Sequence, residues 1–300
     1  MSFLPAQFND FLSLKENRSD FIMKYISDRG LKSSKIVIDG KSHVLVQYDS
    51  SFYNSSFRIK TVVAHHDRVE NTPGANDNSA ACWLLMNWAC YLAKYPSFHN
   101  VRIFFTDGEE LGWNTGVNEQ GAFGIASTFK RLGITNDDVY VFDACGRGEI
   151  PILARNNPSS KAGETFLKKF NDLYVRTQSL LSVSSPGRWM SLPVPYSDNA
   201  SFLACGIPAV AITMLPAEEA SLYARMINQD KNLENQVMNR ESSRKERKEG
   251  NVPDYSYKDH LPLTWRLFHT PKDSIDSLTS VSFRVMESIL KNLADSKIPL

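Results

Sequence analysis

Residues 101–110 read VRIFFTDGEE, a short and nearly unbroken apolar run that ends abruptly in three carboxylates. Such a run has the length of a strand, and apolarity without alternation is what a strand covered on both faces requires. Adjacent carboxylates repel, so Glu109 and Glu110 at the end of a buried strand call for a cation or a shared proton beside them. What surrounds this stretch decides between the two.

Similar runs recur on either side: IKTVVA at 59–64, VYVFDA at 139–144, IPILA at 150–154 and IPAVAITM at 207–214. Helical patterns separate them, predicted over 79–94, 123–132, 162–174 and 280–294. KIVID and HVLVQYD flank Asp39-Gly40 and read as a hairpin. The first thirty residues read as helix, with a stripe of Phe21, Ile22, Tyr25 and Ile26 that stops at Gly30. This alternation predicts an α/β fold, a three-layer α/β/α sandwich with a mixed, mostly parallel central sheet. Three hundred residues around one sheet suit a single domain spanning 1–300. Within it, 216–262 turns polar and contains the mixed-sign run NRESSRKERKEGN, expected to be a solvated insertion or, more sharply, a lid over the site.

Lys and Arg number 34 against 33 Asp and Glu, a net charge of +1, so no field of one sign exists to hold nucleic acid or an anionic membrane. A small, near-neutral substrate fits better. The N-terminus has no signal-peptide core and no run approaches a membrane span, which leads to the expectation of a soluble, cytoplasmic protein. Oligomeric state is not readable from the sequence. The four cysteines lack C-x-x-C spacing and are expected to be reduced and mostly buried. Trp83 and Trp88, on the helix after Asp77, are expected in the core.

In α/β sheets functional groups collect beyond the carboxyl ends of strands. Four apolar runs end in possible metal ligands: KTVVA meets His65, His66 and Asp67; VRIFF meets Asp107, Glu109 and Glu110; VYVF meets Asp143; WRLF meets His269. Residues two apart on a strand share a face, which favours His65 as a ligand with Asp67 orienting its imidazole, and points His66 away. Asp77 lies in a Gly-Asn-rich loop opening a helix, where a capping role is the plainer alternative. Singly, a strand-end histidine is more often a satisfied polar residue, and a Glu-Glu pair more often solvated. Together they make the mixed oxygen and nitrogen set that zinc accepts.

The ordered motifs AHHD, GANDN, FFTDGEELG, VFDACG, YSDNASFLACGIPAV and FHTPKDSIDSL, spread from Arg58 to Leu278, resemble those of the co-catalytic zinc aminopeptidases of metallopeptidase clan MH, which also contains the animal-type glutaminyl cyclases. The resemblance implies a zinc exopeptidase-like fold and two zinc ions. His65, Asp77 and Asp143 would hold one, and Asp77, Glu110 and His269 the other, with Asp77 bridging. It further implies Glu109 as general acid/base, Asp67 as the carboxylate behind His65, and Asp198 as a residue shaping the site. The implied activity is hydrolysis of amino-terminal residues from a peptide substrate by a metal-activated water. Asp107 is read as a loop hydrogen-bonder, and His43, His66 and His99 receive no catalytic role.

Two alternatives stand beside it. Ring closure of amino-terminal glutamine, as in the cyclases, would use nearly the same residues and a single zinc. It draws support from the long loop LGWNTGVNEQGAFG and from DNSAACWLLM, which lacks the Gly-Ser-Gly of many aminopeptidases. The third reading is an inactive metal-binding or receptor-like domain, against which stands the intact ligand set. No H-E-x-x-H, G-x-S-x-G or phosphate-loop motif anchors another enzyme class.

Overall fold

A computed structural model describes residues 3–111, 116–155, 158, 162–238 and 259–300. Eight strands form one sheet in the order β1-β2-β4-β3-β5-β8-β6-β7. They are β1 (Lys32–Ile38), β2 (Lys41–Gln47), β3 (Lys60–His65), β4 (Val101–Thr106), β5 (Asp138–Phe142), β6 (Ile150–Ala154), β7 (Met190–Leu192) and β8 (Ala209–Leu215). The centre, β4-β3-β5-β8, is parallel, while the β1-β2 hairpin joins antiparallel to β4 and β6 joins antiparallel to β8. The predicted mixed, mostly parallel sheet is the one observed.

The hairpin turns at Asp39 and Gly40, both with positive φ, which is why Asp-Gly suits it. The central strands are buried throughout except at Arg102, and their side chains divide by parity. Val62, Ile103, Phe105, Tyr140, Phe142 and Ile212 enter one core, whereas Val63, Phe104, Val139, Val141 and Ala211 enter the other. The first core is closed by helices α1 (Ala6–Ser13), α2 (Arg18–Ser27), α3 (Ala80–Leu92), α5 (Glu164–Ser184) and α10 (Ser280–Asp295). The second is closed by α4 (Gly121–Arg131), α6 (Asn199–Ala204), α7 (Ala217–Gln229) and α8 (Lys231–Met238), together with Trp265 of α9 (Leu263–Arg266). The result is the expected three layers.

Several boundaries differ from the sequence reading. The N-terminal thirty residues form two helices, interrupted where Asn17 takes a left-handed conformation. The helix expected over 162–174 continues to Ser184, because Leu173, Thr177 and Leu181 keep facing the core along one stripe. WRLF is not a strand: Leu263–Arg266 is a helical turn. Residues 217–238 are helical and bury Ala220, Tyr223, Ile227, Leu233 and Val237, while the mixed-sign run NRESSRKERKEGN lies outside the described residues. Trp83 and Trp88 are buried in the first core, and all four cysteines are free thiols, three of them buried. Among the described residues no helix is long and apolar enough to cross a membrane.

From β3 the chain moves to β4 on one side and then crosses back to β5 on the other. Such a reversal of strand order opens a crevice beyond the carboxyl ends of the strands, which is where a ligand site is expected.

Candidate metal centre

His65 is the last residue of β3, and its imidazole faces the crevice. Its Nε2 lies 3.2 Å from Asp77 Oδ1 and 3.5 Å from Asp143 Oδ1, and its Nδ1 lies 3.4 Å from Asp67 Oδ1. The strand parity of His65 and Asp67 is therefore realised. His66 turns the other way, pairing through Nε2 with Ser42 O at 2.9 Å. On the far side, His269 Nε2 lies 2.9 Å from Glu110 Oε2 and 3.4 Å from Asp77 Oδ2. Asp77 thus presents one carboxylate oxygen to each imidazole.

These contacts form two three-residue groups, His65 with Asp77 and Asp143, and Asp77 with Glu110 and His269, whose potential ligand atoms lie within 4.8 Å of one another. A third group, His65 with Glu109 and Glu110, meets the same distance criterion. In that group one oxygen of Glu109, Oε1, already accepts a hydrogen bond from Gln120 Nε2 at 2.8 Å.

Three loops and a helical turn deliver these side chains. Asp77 does not cap helix α3: it sits in an irregular turn before it, at φ −109° and ψ 88°, and no side-chain cap hydrogen bond forms there. The turn is held from outside, since Asp273 accepts the Asn76 N–H through Oδ1 at 2.8 Å and the Asp77 N–H through Oδ2 at 3.1 Å. Asp67 holds the acidic turn after β4 in the same manner, accepting the Glu109 N–H at 3.2 Å and the Glu110 N–H at 3.0 Å. Asp107 accepts the Ser42 N–H at 2.8 Å, the loop-bonding role read for it. His269 follows helix α9 and takes a positive φ of 59°, a conformation disfavoured for residues with a Cβ and here imposed by the turn into Thr270. Asp198 is fully buried and accepts the Thr106 hydroxyl, which fixes it beneath the end of β4.

Burial opposes charge on His65, His269, Asp77, Glu109, Glu110 and Asp198, and in the first three their neighbours outweigh it. For the side chains alone, burial resists protonation of His65, but the carboxylates of Asp143, Asp67 and Asp77 around the ring hold it well above the usual histidine range. His269 is likewise raised to about 10, burial being outweighed by Asp77 and Glu110. Burial would raise Asp77, yet His269 and His65 bring it below the ordinary carboxylate range. Glu110 is pushed up to about 7 by burial and by Asp77, and Glu109 is pushed well above its usual value by burial, with Glu110 and Asp143 adding. Asp198 rises to about 7, chiefly through burial.

The donor set fits a divalent cation. His65 Nδ1 and Nε2, Glu110 Oε1 and Asp143 Oδ1 are buried and lack a hydrogen bond of acceptable geometry, a costly arrangement for polar atoms unless something else coordinates them. Two imidazoles with three carboxylates are the nitrogen and oxygen ligands zinc takes. Beside them opens a cavity of about 530 Å³, with Asp77, Glu110 and Asp143 on one wall and Val194, Ile212 and Phe268 among its apolar lining. Tyr196, Val237 and Asp259 also border it, the last two from the stretch 216–262 read as a polar insertion or lid.

Two residues of the site carried no role in the sequence reading. Asp273 stood within a quoted motif, four residues after His269, so its spacing was a usable signal. Gln120 had none, being one polar residue in a long loop.

A three-layer sandwich that gathers imidazoles and carboxylates at its topological switch point is the zinc exopeptidase-like fold. The chain belongs to Peptidase family M28, whose model matches residues 53–294. It accordingly belongs to a peptidase family and has an α/β sandwich fold. Among solved structures, it is similar to the LapA aminopeptidase of Legionella pneumophila at a TM-score of 0.65 and 13% identity, covering 96% of this chain and 69% of that one. It is similar to a glutaminyl cyclase from an Acidobacteriales bacterium at TM-score 0.58 and 13% identity, with 97% and 92% covered. A Zn-dependent exopeptidase from Parabacteroides distasonis gives TM-score 0.57 and 10% identity, with 97% and 96% covered. None of the curated proteins compared with the chain matches it.

Proposed function

We propose that this protein is a two-zinc aminopeptidase that removes amino-terminal residues from peptides. The observation that carries the proposal is the division of Asp77, with Oδ1 toward His65 and Oδ2 toward His269, because a carboxylate shared between two imidazole-containing groups suits a pair of cations. In this reading His65, Asp77 and Asp143 hold one ion, and Asp77, Glu110 and His269 the other. Bound there, zinc would lower the pKa of a water from 15.7 to about 7, polarise a peptide carbonyl and favour the ionised form of Glu109.

The remaining work falls to the chain itself. Glu109 takes a proton from water as its oxygen bonds to the carbonyl carbon, then gives that proton to the departing amine nitrogen as the C–N bond breaks. Asp67 orients the His65 ring and, through two backbone N–H groups, the Glu109-Glu110 turn. The acidic wall of the cavity attracts a protonated α-amine, and the apolar wall receives an uncharged side chain. The protein acts as one domain built on one sheet, and Val237, Asp259 and Leu261, from the described parts of the stretch 216–262, border one side of the cavity.

A second reading, ring closure of amino-terminal glutamine, is supported by the likeness to the Acidobacteriales cyclase over nearly the full length of both chains. One preparation separates the readings: zinc content is measured, followed by assay on leucine anilide and on a glutaminyl peptide. Two zinc ions per chain with release of the anilide amine and no ring closure is the expected result. Ring closure with one zinc would select the cyclase, and bound zinc without either turnover the binding-domain reading.

A further inference from the structure

The chain that follows Glu110 returns to Glu109 through one side chain, Gln120. Gln120 Nε2 donates to Glu109 Oε1 at 2.8 Å and lies 3.5 Å from the Glu109 carbonyl oxygen. Its own amide oxygen accepts the Ser201 hydroxyl at 2.8 Å. Glu109, Gln120 and Ser201 are only 7%, 3% and 0% exposed, so water does not substitute freely for any of these bonds.

The chemistry fixes the direction of the relay. A serine hydroxyl donating to Oε1 leaves the amide's N–H groups to face the carboxylate, and a flipped amide would set two oxygens against each other. The backbone fixes its location. Gly121 N–H donates to Gly108 O at 3.2 Å, and a Cβ at Gly121 would fall 1.8 Å from Asp107 O, so the segment bearing Gln120 packs directly on the segment bearing Glu109. With Oε1 so engaged, Glu109 Oε2 has no hydrogen-bond partner among the described residues, while the residue borders the cavity.

We propose that Gln120, locked by Ser201, is the positioning residue of Glu109: it holds Oε1 and leaves Oε2 as the oxygen that carries the proton. This rests on the reading of Glu109 as the proton carrier. The arrangement links three parts of the chain, the acidic turn after β4, the start of helix α4 and helix α6, so the aim of the carboxylate is set by tertiary packing and not by its own loop.

The test uses the zinc-loaded full-length chain and leucine anilide, reading kcat, KM, zinc content and Tm. Gln120→Met keeps side-chain length and removes the donor; it is expected to retain zinc and KM while kcat falls about 10- to 100-fold, the scale of a misaimed catalytic group. Ser201→Ala is expected to lower kcat by a smaller factor, Ser201→Thr to lose less than Ser201→Ala, and the double variant Gln120→Met/Ser201→Ala to be no slower than Gln120→Met alone. Wild-type kcat in Gln120→Met, loss of zinc in it, or multiplicative losses in the double variant would overturn the proposal. If Gln120→Met does not fold, Ser201→Ala decides alone, and wild-type kcat there overturns it. Glu109→Gln, assayed in parallel, separates the two failures: full activity in that variant removes the underlying reading, whereas an inactive Glu109→Gln beside an unimpaired Gln120→Met removes only the positioning role.

Discussion

Asp273 accepts the backbone N–H of Asp77 across 196 positions of sequence, and its other oxygen accepts the N–H of Asn76. The loop that ends in Asp77 is therefore fastened to the segment that carries His269, which ties the two halves of the site together. Removing this clamp would free Asp77 without touching any group that faces the cavity. Asp273→Ala is expected to weaken zinc binding about 10- to 100-fold, as loss of an outer-shell partner does, which a competitive chelator titration reads directly. Unchanged affinity would show that the turn holds its shape unaided.

Glu109→Gln keeps the shape of the side chain and abolishes its capacity to accept a proton. Zinc content should stay at the wild-type level while kcat falls about 10²- to 10⁴-fold, the usual worth of a general base. Metal analysis and steady-state kinetics on the same sample check both halves. Turnover at the wild-type rate would exclude Glu109 as the base.

Asp143 contributes to the group around His65 and to no other. Asp143→Ala is therefore expected to bind one zinc per chain where the wild type binds two, with the group formed by Asp77, Glu110 and His269 left intact. Equilibrium dialysis followed by metal analysis counts the ions. Retention of two, or loss of both, would contradict the independent pairing of ligands proposed here.

His43 and His99 are fully buried, and each accepts a backbone N–H at Nδ1, from Asp107 at 3.1 Å and from Val101 at 3.0 Å. Burial holds His43 down to about 4, against the pull of Asp107, and His99 down to about 3, with Lys60 and Lys297 adding. Both stay neutral when the unfolded chain takes up protons. Their contribution to stability is complete above about pH 6.5 and declines as the pH falls toward the native values, by at most about 1.4 kcal/mol per pH unit for each ring. Urea midpoints measured from pH 7 to pH 5 should fall, and His99→Gln should flatten that slope. A stability independent of pH over this range would mean the rings protonate in place.

The layered sheet was legible from VRIFFTDGEE and its sister runs because a strand buried on both faces admits almost nothing but apolar residues. Strand parity likewise separated His65 and Asp67 from His66, and the polar residues beyond β3, β4 and β5 were legible as a group because strand ends gather at one edge. Local pattern could not reveal that His269 arrives from a helical turn, since WRLF is apolar enough for either state. Nor could it show where Asn17 breaks the first helix, or that Glu164–Ser184 would run ten residues past the expected end.

The amino-acid sequence alone determined which side chains were available to bind zinc and on which strand ends most of them would stand. Only the tertiary structure decided that Asp77 divides its oxygens between His65 and His269, that Asp273 grips its loop, and that Gln120 reaches Glu109. Those are single polar contacts between distant segments, and their geometry depends on how the layers pack, which no periodicity along the chain records.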